Sequence, residues 1–383
     1  MKDKIPKIVL VLVALIFVVF RMCSADVTSI REGTLGENGV GRLDLIIKAM
    51  VDLNGKIQVI TNQTGDIRAK YKITATAESS TEAARFLDLV DVKMTAGKND
   101  RAILEILAPS HVPWGGTRYS VNVDILIAAP EKIDIEGRCR FIDMDVVGPF
   151  QNITFDCENS AVSLSRIYGS IRVNTTNSEI NLSSVSGDIR AKTTNGDVNV
   201  KGAEVVSGYA FLETTNGIIV LDGIRGSVEA YTTYSPIKAE DIDASEGSVV
   251  LRTNYAPINI SKVSGEVICE TNYYPINVTK AVINHGHSKL ETSFAPVKAQ
   301  IVDLENCEVY ITSEYSDVEL EVPEESSTRL VASVDKGGNI HTKDIAIVPI
   351  LLEPTRLEGI LGDGEARVEI KVNGVGNIEI TGH

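Results

Sequence analysis

The sequence predicts an all-β protein wound as a single-stranded β-helix, a β-solenoid of about ten rungs. Three observations predict it: a glycine that returns at two alternating intervals, apolar residues at every second place after it, and a hydroxyl at one fixed place in each unit. The glycines are Gly169, Gly187, Gly208, Gly226, Gly247, Gly265 and Gly286, separated by 18, 21, 18, 21, 18 and 21 residues. An internal period of this size marks a repeat architecture. Two and four places after the glycine stand Ile171 and Val173, Ile189 and Ala191, Val249 and Leu251; eleven and thirteen places after it stand Ile180 and Leu182, Val198 and Val200, Ile237 and Ala239, Ile258 and Ile260. Period two in short runs means strands with one buried face. Two such runs per unit, broken by a turn, fit a coil of parallel strands.

Six places after each glycine stands Thr175, Thr193, Thr214, Thr232, Thr253, Thr271 or Thr292. Equivalent positions of a stacked coil lie about 4.8 Å apart, so these hydroxyls are placed to pass hydrogen bonds from rung to rung. Two places further on, the series Asn177, Asn195, Asn216 gives way to Tyr234, Tyr255, Tyr273, Phe294 and Tyr315, and prolines then appear at Pro236, Pro257, Pro275 and Pro296. Asn tolerates the left-handed backbone of a tight corner, whereas Pro fixes φ and lacks an N–H. One coil with two corner types is expected.

Weaker anchors extend the pattern. Ile153, Phe155, Val162 and Leu164 fit a rung opening at Gln151; Ile133, Ile135, Ile142 and Met144 fit one at Glu131; Val309, Ile311, Val318 and Leu320 fit one at Cys307. Ten rungs make a rod on the order of 45 Å long. The division expected is a leader over 1–25, a β-rich N-terminal cap over 26–130, the solenoid over 131–322, and C-terminal rungs and cap over 323–383.

In the leader, Lys2, Lys4 and Lys7 precede an apolar run from Ile8 to Phe20 and a small-residue Cys23-Ser24-Ala25. This reads as a signal peptide, or as an uncleaved N-terminal membrane anchor; both export the chain to the cell surface or beyond. The cap carries strands around Leu43 to Ile47, Ile57 to Ile60, Ile67 to Ile73 and Tyr119 to Ile127, but no rung pattern. One short helix over Ser80 to Val90 is capped by Ser80 or Thr81 and buries Ala83, Phe86, Leu87 and Val90. Such a cap covers the unpaired strand edge of an open coil end. At the other end Ile345 to Leu352 is apolar enough to cap, and Arg367 to Ile380 reads as a final rung.

The Ser-Gly-Asp-Ile, Thr-Thr-Asn-Gly and Gly-Asn-Ile-Glu-Ile units, closed by Gly-Asp-Gly-Glu-Ala-Arg-Val-Glu-Ile, resemble the family of β-strand repeat domains known as putative adhesins. The resemblance covers about residues 40 to 383 and implies an exported or membrane-tethered protein. The family brings no catalytic residues to carry over, and the Tyr-and-Pro corners depart from its pattern.

No phosphate loop, zinc spacing or nucleophile elbow occurs, so no catalytic residue, cofactor or metal is expected, and His285-Gly286-His287 reads as a solvated corner. Glu240, Asp241, Asp243 and Glu246 invite comparison with the paired carboxylates of polysaccharide-cleaving β-helices and with calcium sites. They fall in one of the longer corners, where charge keeps a loop in water. No gap between rung glycines exceeds 21 residues, which leaves no inserted loops to build a cleft. The net charge of −15 repels nucleic acid and anionic lipid, so a partner is neutral, basic or bridged by divalent ions.

The binding candidates are Tyr234, Tyr255, Tyr273, Phe294 and Tyr315. Either they present a flat platform to a surface carbohydrate or another envelope protein, or they stack on one another and on the prolines and stiffen the corner. Cys139 and Cys157 fall at one corner of successive rungs, where a disulfide is expected in an oxidising compartment; Cys269 reads as a small core residue and Cys307 as unpaired. Sequons at Asn62, Asn152, Asn174, Asn181, Asn259 and Asn277 follow from the abundance of Asn and Thr in the rungs. The reading is a non-enzymatic cell-surface adhesin or binding element, with a ligand-free envelope spacer or self-assembling scaffold as the alternative and a polysaccharide-cleaving enzyme below it.

Overall fold

A computed structural model describes residues 26–37, 44–98, 101–115 and 118–383. The leader expected over 1–25 lies outside the described residues. Among the described residues the fold is all-β with one helix, Ser80–Asp88. Alternation along the chain becomes alternation across the sheet: in Ile180–Ser186 the side chains of Ile180 and Leu182 are buried while Asn181 and Ser183 are not. The core is one continuous apolar cluster running from Leu45 to Ile380.

Strand pairing is parallel through the middle of the chain, at sequence offsets of 18 or 21 residues. Ile153 pairs with Ile171 and Ile171 with Ile189, then Arg190 with Phe211, Val228 with Val249 and Val249 with Val267. A second series joins Ile180 to Val198, Val198 to Ile219, Ile219 to Ile237, Ile237 to Ile258 and Ile258 to Ile276. Each residue type therefore stands in a column with its counterparts in the layers on either side.

Three columns hold the corners. The threonines from Thr175 to Thr292 are buried, and each hydroxyl donates to a backbone carbonyl of the preceding corner, at 2.9 to 3.4 Å: Ser160, Ser178, Gly196, Gly217, Ser235, Ala256 and Tyr274 in turn. They link layers through the main chain rather than from hydroxyl to hydroxyl. Each such bond contributes about 1 kcal/mol.

Apart from Asn159 at its upstream end, with φ 53°, the asparagine corner is not left-handed. Asn177, Asn195 and Asn216 are absent from the residues with positive φ; the column Arg166, Ser184, Gly202, Gly223, Asp241, Lys262 and Lys280 has φ between 52° and 66°. Only two of these are glycine, so composition gave no sign of the turn.

In the third column a backbone N–H lacks a main-chain acceptor. The N–H of Ala161 donates to Asp143 Oδ1, that of Ile218 to Asp197 Oδ1 at 2.8 Å, and that of Asn377 to Asp317 Oδ1. Pro236, Pro257, Pro275 and Pro296 occupy the same position and have no N–H to satisfy. Their carbonyls still accept, from Ile219, Ile237, Ile258 and Ile276.

The ends depart from chain order. Asp44–Ala49 and Asn54–Asn62 pair in parallel with Ile135–Arg140 and Ile142–Phe150, so the segment expected to lack rungs supplies one. Arg101–Leu107 and Ser120–Pro130 lie outside it, and antiparallel strands Asp91–Ala96 and Ile67–Ala77 close their free edges. The helix is capped by Ser79, one residue earlier than expected, whose side chain accepts from the N–H of Glu82. Phe86 packs edge-on against Trp114 and Tyr119, with centroids at 5.6 and 6.1 Å. At the far end Ala366–Val372 and Ile378–Gly382 insert between Glu308–Ser313 with Val318–Val322 on one side and Thr328–Val334 with Ile340–Lys343 on the other. The apolar Val348–Glu353 is an outer antiparallel strand with Val348, Ile350 and Leu352 exposed, and so covers less than its composition suggests.

Two substitutions test the columns. Lys280→Gly relieves a left-handed backbone at an exposed site and is expected to raise unfolding free energy by about 1 kcal/mol. At Gly217 an added Cβ would lie 1.7 Å from the Gly196 carbonyl oxygen, so Gly217→Ala is expected to lower stability by about 3 kcal/mol. Urea unfolding midpoints measure both.

Candidate functional site

The corner that follows each buried threonine carries the candidate site. Upstream it is an amide ladder: Asn177 Nδ2 donates to Asn159 Oδ1, Asn195 to Asn177 and Asn216 to Asn195, at 2.5 to 2.6 Å. Downstream it is a spine of five rings. Tyr234, Tyr255, Tyr273, Phe294 and Tyr315 stack in sequence with centroids 5.3, 5.1, 5.3 and 5.4 Å apart and interplanar angles of 14°, 7°, 10° and 8°. The spacing is set by the layers, and it falls in the range where offset aromatic pairs attract.

All five sequence-predicted aromatics are thus brought together, and each is 46 to 57 % exposed. They do not form a platform of ring faces. Parallel side chains projecting from successive layers fall on one another, so each interior ring has both faces against its neighbours. At the end of the row a Cβ on Gly374 would meet the Tyr315 ring at 2.6 Å, so glycine leaves that ring its space. What solvent meets is a ridge of ring edges and phenol oxygens.

Beside the spine runs a charged row that the sequence reading missed. Arg252 Nε donates to Glu270 Oε2 at 2.6 Å and its Nη1 to Tyr231 Oη at 3.1 Å; Lys289 Nζ donates to Glu270 Oε1 at 3.1 Å and also pairs with Glu291. The Arg252 guanidinium lies over the Tyr231 ring, 5.7 Å from its centroid. Arg190 and Lys192 flank Phe211 at 4.9 and 5.0 Å. The signal was present as Tyr231, Arg252 and Glu270, each one place before a ladder threonine. Partial burial pushes the Glu270 carboxyl upward, but the hydrogen bonds from Arg252 and Lys289 outweigh it and hold it below its ordinary value. Arg252, Glu270 and Glu291 of this row line a depression of about 230 Å³ together with Asn254, Asn272 and Ser293, which directly precede Tyr255, Tyr273 and Phe294 in the chain.

The acidic residues of the longer corner are dispersed. Asp243 accepts from Ser264 and Ser245, Glu240 lies 3.7 Å from Lys262, and no cluster of metal-ligating side chains occurs among the described residues. Cys139 and Cys157 stand opposite each other on paired strands and are buried in the core rather than placed at a corner. A larger concave surface, about 730 Å³, lies on the cap, where cross-strand neighbours Glu32, Lys72, Asp124 and Lys56 alternate in sign and Lys70 adds one further positive charge.

No family model and no curated protein matches the chain. Among solved structures it is similar to a putative cell adhesion protein from Clostridium sporogenes, at 11 % identity over 93 % of this chain and 100 % of that one, with a TM-score of 0.21. It is also similar to putative adhesins from Bacteroides fragilis (10 % identity, 93 % and 98 % covered, TM-score 0.17) and Parabacteroides distasonis (11 %, 92 % and 97 %, TM-score 0.21). At such TM-scores the likeness carries no inference about this chain.

The charged row gives a pH dependence. A carboxylate whose folded pKa is depressed adds stability that is present above its unfolded value of 4.5 and is lost as pH falls through the folded one. Glu270→Gln is therefore expected to cost about 0.5 to 1 kcal/mol at pH 7, in keeping with its partial exposure. The gap from the parent should close in urea titrations repeated at progressively lower pH below 4.5.

Proposed function

We propose that this protein is a non-enzymatic β-solenoid rod of the cell surface, exported by its N-terminal apolar segment, whose aromatic spine docks a surface carbohydrate or another envelope protein. The observation that carries this reading is the spine itself. Five large aromatic side chains stand in one line, each about half exposed, with no element of the described chain laid over them. Contiguous exposed apolar surface of this kind marks interaction sites. The recurring 18- and 21-residue register supports the rod, because every layer presents the same corner in the same direction.

The ridge sets the mode of contact. With ring faces already engaged, a partner meets edges and four phenol hydroxyls, Phe294 lacking one. A partner with a groove and spaced hydrogen-bonding groups fits better than single sugar rings laid flat. The depression beside Arg252 and Glu270 adds polar contacts along the same side.

The ring-on-ring packing supports a second reading, a spacer that binds nothing. Stacked aromatics continue the amide ladder of the same corner, and each pair contributes about 0.5 to 1.5 kcal/mol.

The variant Tyr234→Asn, Tyr255→Asn, Tyr273→Asn separates the two, since Asn extends the upstream ladder. Docking predicts that capture of an immobilised glycan or envelope-protein panel falls at least tenfold while the unfolding midpoint stays near that of the parent. Capture by neither protein, with a stability loss of about 2 to 4 kcal/mol in the variant, would leave the spacer standing. Release of reducing ends from a polysaccharide panel would overturn both.

A further inference from the structure

We propose that Cys139 and Cys157 are joined by a disulfide in the exported protein, stapling two adjacent layers at the N-terminal end of the coil. The assignment is independent of what the spine docks.

Ile135–Arg140 and Ile153–Glu158 are parallel and in register, with Cys139 directly opposite Cys157. Neighbouring strands lie about 4.8 Å apart, inside the Cα separation that a disulfide accepts. Both side chains point into the core, at 1 % and 3 % exposure. In the structure both are thiols in mutual contact.

Their place in the column gives the pair a role. The register that sets Asp156 opposite Asn174 puts Cys157 next in line to Thr175, the first of the threonines that tie each layer to the last. At this column position the two cysteine layers carry thiols in place of the threonine hydroxyl, and their hydrogen-bonded tie comes instead from the N–H of Ile142 donating to Ser160 Oγ at 3.1 Å. A covalent link takes the threonine's place in the column, beside the layer that is out of chain order, with Ala49 on the other side of Cys139. No other pairing competes on these strands: Cys269 stands opposite Leu251 and Leu290.

The hydrogen bond to Cys139 and burial push the Cys157 thiol far above its ordinary range, so the folded core is a poor place to form a thiolate. Closure therefore belongs to folding, before the layers seal. One thiolate attacks a disulfide-bearing oxidant to give a mixed disulfide. The second thiolate then displaces the oxidant, which leaves with the two electrons as thiolates and takes up from solvent the two protons that the cysteines had given to it.

The test refolds the full chain in a mixture of reduced and oxidised glutathione, blocks and counts thiols with a maleimide mass tag in denaturant, and maps digests by mass spectrometry. Two additional tags after reduction, and a peptide pair joining Cys139 to Cys157 that separates on reduction, are expected. Reductant should lower the parent's unfolding midpoint by several degrees and leave that of Cys139→Ser, Cys157→Ser unmoved. Equal tag counts with and without reduction, or a cross-link between other cysteines, would overturn the assignment; the digest of the parent decides it even where the double variant folds poorly.

Discussion

Everything in this fold depends on parallel strands stacked in register at about 4.8 Å. In that arrangement a side chain's nearest neighbours are the same position in the layers before and after it, so a residue type succeeds only if it packs against its own kind. Aliphatic residues meet this inside the coil. At the corners it selects side chains that link to a copy of themselves or to main chain one layer away: amide on amide, ring on ring, and threonine hydroxyl to carbonyl. On the outward faces of the strands it is met by alternating sign, as in Arg252, Glu270 and Lys289.

How much of this was legible follows from which columns repeat in kind. Glycine, threonine, Asn/Tyr and proline recur by identity, and the 18- and 21-residue offsets read from them reappear as strand registers. The left-handed column does not recur by identity. Arg166, Ser184, Asp241, Lys262 and Lys280 share a backbone conformation with Gly202 and Gly223 but no side-chain chemistry, so nothing in composition exposed it, and the left-handed turn was assigned to the asparagines instead. The charged row was hidden for a related reason. Alternating charges form one ladder in space but look like unrelated residues along the chain. All five spine positions were legible, while the orientation of their rings was not, because it follows from the stacking distance rather than from residue type.

The ends were the least legible part, for a topological reason. A coil that simply stopped would leave a row of unpaired N–H and C=O groups. Here the outermost layers are out of chain order at both ends, and antiparallel strands are laid on them. Such a swap puts non-consecutive segments in contact and fixes the terminal layers from two directions. No local pattern encodes it, since Arg101–Leu107 looks like any other alternating strand.

The change from asparagine to aromatic along one corner bears most directly on function. An amide ladder already satisfies the stacking rule there, with short hydrogen bonds and no apolar exposure. Because an Asn against a ring forfeits both the amide bond and the aromatic contact, the two types form blocks, Asn159 to Asn216 and Tyr234 to Tyr315, with Phe141 the one ring next in line to the upstream end of the amide block. Proline enters with the rings and removes the N–H that Asp197 must satisfy at Ile218, so the downstream corner is freed from one side-chain partner. Stiffness explains why the rings form a block once they are present. It does not explain why half of each ring is left in water when asparagine would have stacked as well and stayed wetted; the docking proposed above would remove that surface from water.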